Sequence, residues 1–165
     1  LLNGIHIGKS HTLNITHSAI TRPSSKVANT IVRVNLPHGV DTESPRGQEI
    51  VRKACEKALA VEAKALLPQR MEFLSKKHDI QYSSIVTKKL KSRWGACDNK
   101  NNISLNNYLI QLDWRLIDYV ICHELAHTVH HDHSKAFWAL VETMQPNHKA
   151  LRKELKEKPT DIIPT

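Results

Sequence analysis

The stretch HELAHTVHHDHS, residues 123–134, sets five histidines within eleven positions, with one glutamate among them. In HELAH, His123 and His127 stand four apart, so a helix would stack them on one face, a single turn from each other. Two imidazoles so placed can reach one zinc ion at about 2.0–2.1 Å. Glu124, one position round, can reach a water on that ion without ligating it. A chain of this composition holds about 0.04 such patterns by chance, so the spacing is read as chemistry. The competing account is a pair of hydrogen-bonded core histidines beside a salt-bridged glutamate.

A third ligand must come from beyond the helix. His130 continues the stripe, but seven residues at about 1.5 Å each hold it about 10 Å from His123 along the axis. The chain has to turn back first. Asp132 and Ser134 are both cap-type residues and leave His133 at a joint, free to point at the metal. His133 is therefore preferred, with His130 and Glu142 as rivals, and His131 falls off the stripe. Three protein ligands leave a fourth position to water, the arrangement of a catalytic site. Zinc lowers the pKa of that water to about 7, and Glu124 would accept its proton as general base. The chemistry is hydrolysis with one Zn2+, although imidazoles accept other divalent transition metals.

Elements must hold these residues in place. HTLNITH (11–17) and TIVRVNLP (30–37) read as strands, the second with Val32, Val34 and Leu36 on an apolar face. SAITRPSSKVAN between them reads as an exposed loop. Ser44 and Pro45 start a helical region that reaches about His78 and is interrupted or kinked near Pro68. A strand over 84–94 puts Lys89, Lys91 and Arg93 on one side with Ile85 and Thr87. The turn DNKNN then returns the chain as NISLN, completing an antiparallel hairpin. Lys89, Lys91 and Arg93 would form a basic stripe gripping an anionic substrate. The plainer account makes Arg93 a structural hydrogen-bond hub and Trp94 core packing.

WRLIDYVICHELAH, capped by Asp113, is apolar almost all round and therefore a buried, central helix. Cys122 within it reads as a small buried apolar residue, and Asn106 before it either orients a ligand or caps a turn. SKAFWALVETM starts a further helix at Ser134. PNHKALRKELKEK closes the chain with another, whose lysines read as a solvated face.

The 165 residues suit a single domain with a real core: strands over 1–40, a helical region over 44–78 and a metal-binding core over 82–158. Cys55, Cys97 and Cys122 are odd in number, far apart and without a CxxC pair. That excludes a disulfide framework and a cysteine-rich zinc site. With no signal-like opening and no apolar window of bilayer length, a cytoplasmic protein without membrane partners is expected. A net charge of +8 favours anionic partners, nucleic acid among them, or is simply a well-solvated surface.

KSRWGACDNKNNISLN, LIDYVICHELAH and HSKAFWAL together resemble the YgjP-like metallopeptidase-domain family, predicted metal-dependent hydrolases related to the SprT-like minimal zincins. The resemblance runs from about Tyr82 to Leu155 and weakens toward the start of the chain. It implies a zincin-like α+β fold, with a small antiparallel sheet beside the HExxH helix. It also implies zinc on His123, His127 and His133, with Glu124 catalytic. Ala96 stands where the family commonly has serine, and Asp113–Trp114 replace a more proline-rich helix start. The His133 spacing equals that of metzincins, but their glycine is replaced by His130, so a metzincin fold is not implied.

The expected function is a zinc-dependent metallopeptidase acting on peptides or proteins. One alternative is a metal-dependent pyrophosphohydrolase of nucleoside triphosphates such as UTP. A second is a nucleic-acid-associated module with structural zinc, against which stands the absence of cysteine ligands.

Overall fold

The computed structural model describes residues 1–162. Four strands come first: β1 (His6–Ile7), β2 (His11–Ser18), β3 (Ser24–Ala28) and β4 (Ile31–Pro37). The long helix α1 (Pro45–His78) leads to β5 (Ser84–Lys88), β6 (Gly95–Cys97) and β7 (Asn102–Asn106). A 3-10 helix (Asn107–Gln111) then precedes α2 (Trp114–Val129), α3 (Lys135–Met144) and α4 (His148–Lys156). The fold is mixed α+β.

In β4 the period-two pattern holds: Val32, Val34 and Leu36 are fully buried and Arg33 is exposed. The first sheet has the order β1-β2-β4-β3, with β2 parallel to β4 and the outer pairs antiparallel. The segment expected as a loop therefore contains β3. Its polar, exposed residues conceal an edge strand, paired from Ser24–Asn35 to Ala28–Ile31. Asn29, at φ 52°, makes the two-residue turn into β4, a conformation asparagine tolerates.

Ser44 Oγ accepts from the Gly47 amide at 3.1 Å and Pro45 occupies the first turn, so α1 begins as its sequence requires. Asp79 ends it in the left-handed conformation at φ 53°. The helix runs as one element through Pro68, where an interruption or a kink was expected. Val51, Ala54, Ala58, Leu67, Met71 and Leu74 bury one face along its length, and that packing outweighs the hydrogen bond lost at the proline. Midway, the buried Glu62 carboxylate accepts from the Lys9 and Ser10 amides and pairs with His11, tying the first sheet to the helix. Burial pushes the Glu62 pKa up, but these hydrogen bonds outweigh it and hold the group below its ordinary value.

The second sheet corrects the expected hairpin. Its order is β5-β7-β6: β5 runs parallel to β7, and only β6 is antiparallel to it. The single strand expected over 84–94 stops at Lys88, and the chain crosses to the far edge of β7 before β6 begins. Buried Asn106 organises that crossing. Its Nδ2 donates to the carbonyls of Leu90 (3.0 Å) and Arg93 (2.8 Å), and its Oδ1 accepts from the Tyr108 amide at 3.1 Å.

Helix α1 packs against β4 of the first sheet and against β5 and the 3-10 helix of the second unit, so one core cluster spans both. In α2, Leu116, Ile117, Val120, Ile121, Leu125 and Ala126 are buried as expected. Asp113 holds the N-cap position through its carbonyl, which accepts from Leu116 and Ile117, rather than through its side chain. Among the described residues, no helix is long and apolar enough to cross a membrane.

Candidate metal centre

His123 and His127 lie one turn apart on α2, with ring centroids 4.9 Å from each other. The helix stops at His130, whose extended backbone (φ −129°, ψ 105°) breaks the spiral. Asp132 Oδ1 accepts from the Ser134 amide at 3.1 Å, and Ser134 Oγ accepts from Phe137 N at 3.3 Å. These two caps start α3 and turn His133 back toward α2. Nε2 of His133 comes within 3.4 Å of Nε2 of His123. Two nitrogens bound to one tetrahedral zinc at about 2.0–2.1 Å stand about 3.3–3.4 Å apart. One ligand atom from each of His123, His127 and His133 lies within 4.8 Å of the others, so the three fit a single ion.

The surroundings hold the three rings in place. His127 Nδ1 lies 3.1 Å from the His130 carbonyl, which can only accept, so the proton sits there and Nε2 is left for a metal. That is the part His130 plays, through its backbone. Phe137, fully buried, touches all three rings: its centroid lies 4.9 Å from His123, 4.4 Å from His127 and 5.0 Å from His133. Trp138 stacks on His133 at 5.8 Å. Burial, with the neighbouring His127, His133 and Arg152, pulls His123 down to about 3, so it is neutral and ligand-ready at ordinary pH. Burial lowers the His127 pKa as well.

Glu124 is only 6% exposed. Burial pushes its pKa up to about 8, against a smaller pull downward from Arg93. Gly95 closes over it: a β-carbon at position 95 would stand 2.7 Å from Glu124 Oε1. A cleft of about 380 Å³ opens on this group, bordered by Arg93, Gly95, Cys97, His131 and the three clustered histidines.

The basic stripe does not assemble. Arg93 reaches the cleft, but Lys89 turns to α1, where its Nζ donates to Glu56 at 2.7 Å beneath Tyr108. Lys91 is exposed on the crossing, and its carbonyl accepts from Thr160. Glu142 stands outside the histidine cluster, on the exposed side of α3. Cys122 is buried, its thiol pushed up to about 11 by desolvation, in keeping with an apolar role. Gly95, Phe137 and Trp138 were not singled out from the sequence as parts of the site. Their signal was present in RWGAC and HSKAFW, as a glycine and aromatics beside ligand-bearing segments.

The family described as YgjP-like, metallopeptidase domain, matches residues 3–158. The chain belongs to that family. The YgjP-like match takes in the N-terminal sheet and α1, well beyond the Tyr82–Leu155 stretch that carries the visible motifs. A comparison with curated proteins found no match. Among solved structures, the YgjP-like chain is similar to the crystal structure of the metallopeptidase zymogen of Pyrococcus abyssi abylysin, with a TM-score of 0.50 and 22% identity. The alignment covers 55% of this chain and 91% of that one, and at such identity the likeness is one of fold. Membership of the YgjP-like family makes this a metal-dependent, peptidase-like hydrolase.

Proposed function

We propose that the chain is a zinc-dependent metallopeptidase of the HExxH type, with a zincin-like core. His123, His127 and His133 hold one Zn2+ and Glu124 is the general base. The observation that carries this reading is the convergence of three histidine nitrogens within 4.8 Å beside a buried carboxylate, in one open cleft.

When bound, zinc supplies a Lewis acid that polarises the scissile carbonyl and acidifies water. Glu124 accepts the proton of the attacking water and delivers it to the amide nitrogen as the carbon–nitrogen bond breaks. Burial favours uptake of a proton by Glu124, which suits it to receive the proton of the attacking water. Arg93, on the cleft wall, favours the ionised carboxylate. The substrate is a peptide or unfolded protein. The nucleotide alternative draws less support, because only Arg93 of the three expected cations lines the cleft.

The test is hydrolysis by zinc-loaded wild type and Glu124→Gln, side by side, on a pool of denatured proteins and nucleoside triphosphates. Peptide products that disappear with Glu124→Gln are the expected result. Pyrophosphate release that disappears instead would replace this reading with the nucleotide one.

A further inference from the structure

The lysine-rich face of α4 is exposed, as expected, and it also forms one wall of a groove. The groove has a volume of about 660 Å³ and lies between α3 and α4. Its cations are Lys135, Lys149, Arg152, Lys153 and Lys156, against one carboxylate, Glu142. None of these five forms an ion pair among the described residues. Arg52, Lys53, Arg70, Lys76, Lys89 and Arg115, by contrast, each hold a carboxylate. Five cations thus line one groove against a single carboxylate, and the groove adjoins the metal centre. His133 lines both this groove and the cleft above Glu124. Trp138 lines the groove, stacked on His133 at 5.8 Å and on buried His148 at 5.5 Å, with the Arg152 guanidinium 4.8 Å over its ring.

We propose that this groove binds an acidic segment of the peptide substrate, on the His133 side of the scissile bond. The inference rests on the peptidase reading and adds the class of substrate. Concentrated, unpaired cations on a concave wall attract carboxylates and raise their local concentration. A nucleic-acid strand suits the groove less well. Its aromatic platform is already engaged by Arg152, His133 and His148, leaving nothing for a base to stack on, and Glu142 opposes a continuous phosphate backbone.

The experiment uses the zinc-loaded chain and quenched peptides with one common core, flanked on either side by Glu–Asp or by Gln–Asn. Expected is an increase of about tenfold in kcat/KM for the acidic flank on one side only, carried mainly by KM and lost at about 0.5 M salt. In a Lys149→Glu, Lys153→Glu, Lys156→Glu variant the preference should vanish while the neutral peptide is cleaved as before. All three positions are exposed, so the fold is retained. Equal cleavage of acidic and neutral peptides, or a preference that survives the charge reversal, overturns the inference and leaves the peptidase reading intact. A second readout needs no turnover: anisotropy of a labelled acidic peptide on Glu124→Gln. Binding that the triple variant abolishes supports the groove even where cleavage is slow. Absent binding overturns it, as does tighter binding of a single-stranded oligonucleotide that the triple variant removes.

Discussion

Gly95 lies directly against Glu124, so close that a β-carbon there would overlap the carboxyl group, at 2.7–2.9 Å from Oε1, Cγ and Cδ. The glycine of RWGAC is thus the lid on the buried acid of HELAH. The edge strand β6 and the helix α2 meet at that point.

Gly95→Ala forces the Glu124 side chain aside while leaving the histidines untouched. Activity should fall by about 10²-fold or more, with zinc content unchanged. Metal analysis beside peptide hydrolysis checks this, and near-normal activity would show that the contact is not needed.

The third ligand can be separated from its rivals. His133→Ala should lower zinc affinity by at least about 100-fold. His130→Ala and Glu142→Ala should bind zinc as the wild type does, because His130 acts through its carbonyl and Glu142 lies outside the cluster. Competition with a chromogenic chelator measures all three. Loss of zinc from Glu142→Ala alone would move the ligand to α3.

Without metal, stability should depend on pH in a defined way. The folded pKa of Glu124, about 8, lies above the ordinary glutamate value of 4.5, so the folded state binds more protons between those values. Stability from this group falls as pH rises through that window. His123 works in the opposite direction: at about 3 against 6.5, its contribution rises with pH and is complete by about 6.5. Of these two groups, only Glu124 still contributes a slope above about 6.5. The melting temperature of the metal-free protein should drop by on the order of 5 °C between about pH 6.5 and 8.5, and Glu124→Gln should flatten the slope. Calorimetry after chelation decides, and a wild-type melting point that climbs over this range would contradict the assignment.

Asn106→Leu should cost about 1–3 kcal/mol, because it leaves the buried Tyr108 amide and the half-buried Leu90 and Arg93 carbonyl bonds without their partner. It should also loosen the crossing that carries Arg93, raising KM more than it lowers zinc binding. Denaturant titration and steady-state kinetics report the two effects separately.

How legible was all this? The pair on α2 was plain, because four-residue spacing and helix geometry leave little freedom. His133 was accessible through the caps Asp132 and Ser134, since a helix that must restart turns its preceding residue inward. The second sheet was not legible. Periodicity marks Ile85 and Thr87 as one face, but it carries no information on which side of β7 the chain will lie, so parallel pairing went unseen. Lys89 and Arg93 therefore share a sequence parity without sharing a surface. Edge strand β3 was hidden by its solvent-facing serines and lysine, which give no alternation to read. Pro68 does not interrupt α1: its local penalty is visible in sequence, and the packing that offsets it is not.

The long helix α1 has a further consequence, one of cooperativity. Because the same helix is the wall for both sheets, the molecule has no seam along which half of it could melt first. Denaturation should show one transition, with the metal centre and the N-terminal strands lost together. A fragment beginning near Tyr82 would keep every residue of the cleft and still lack the surface on which β5 is packed. The N-terminal half of the chain is, in that sense, part of the scaffold that keeps three histidines aimed at one point.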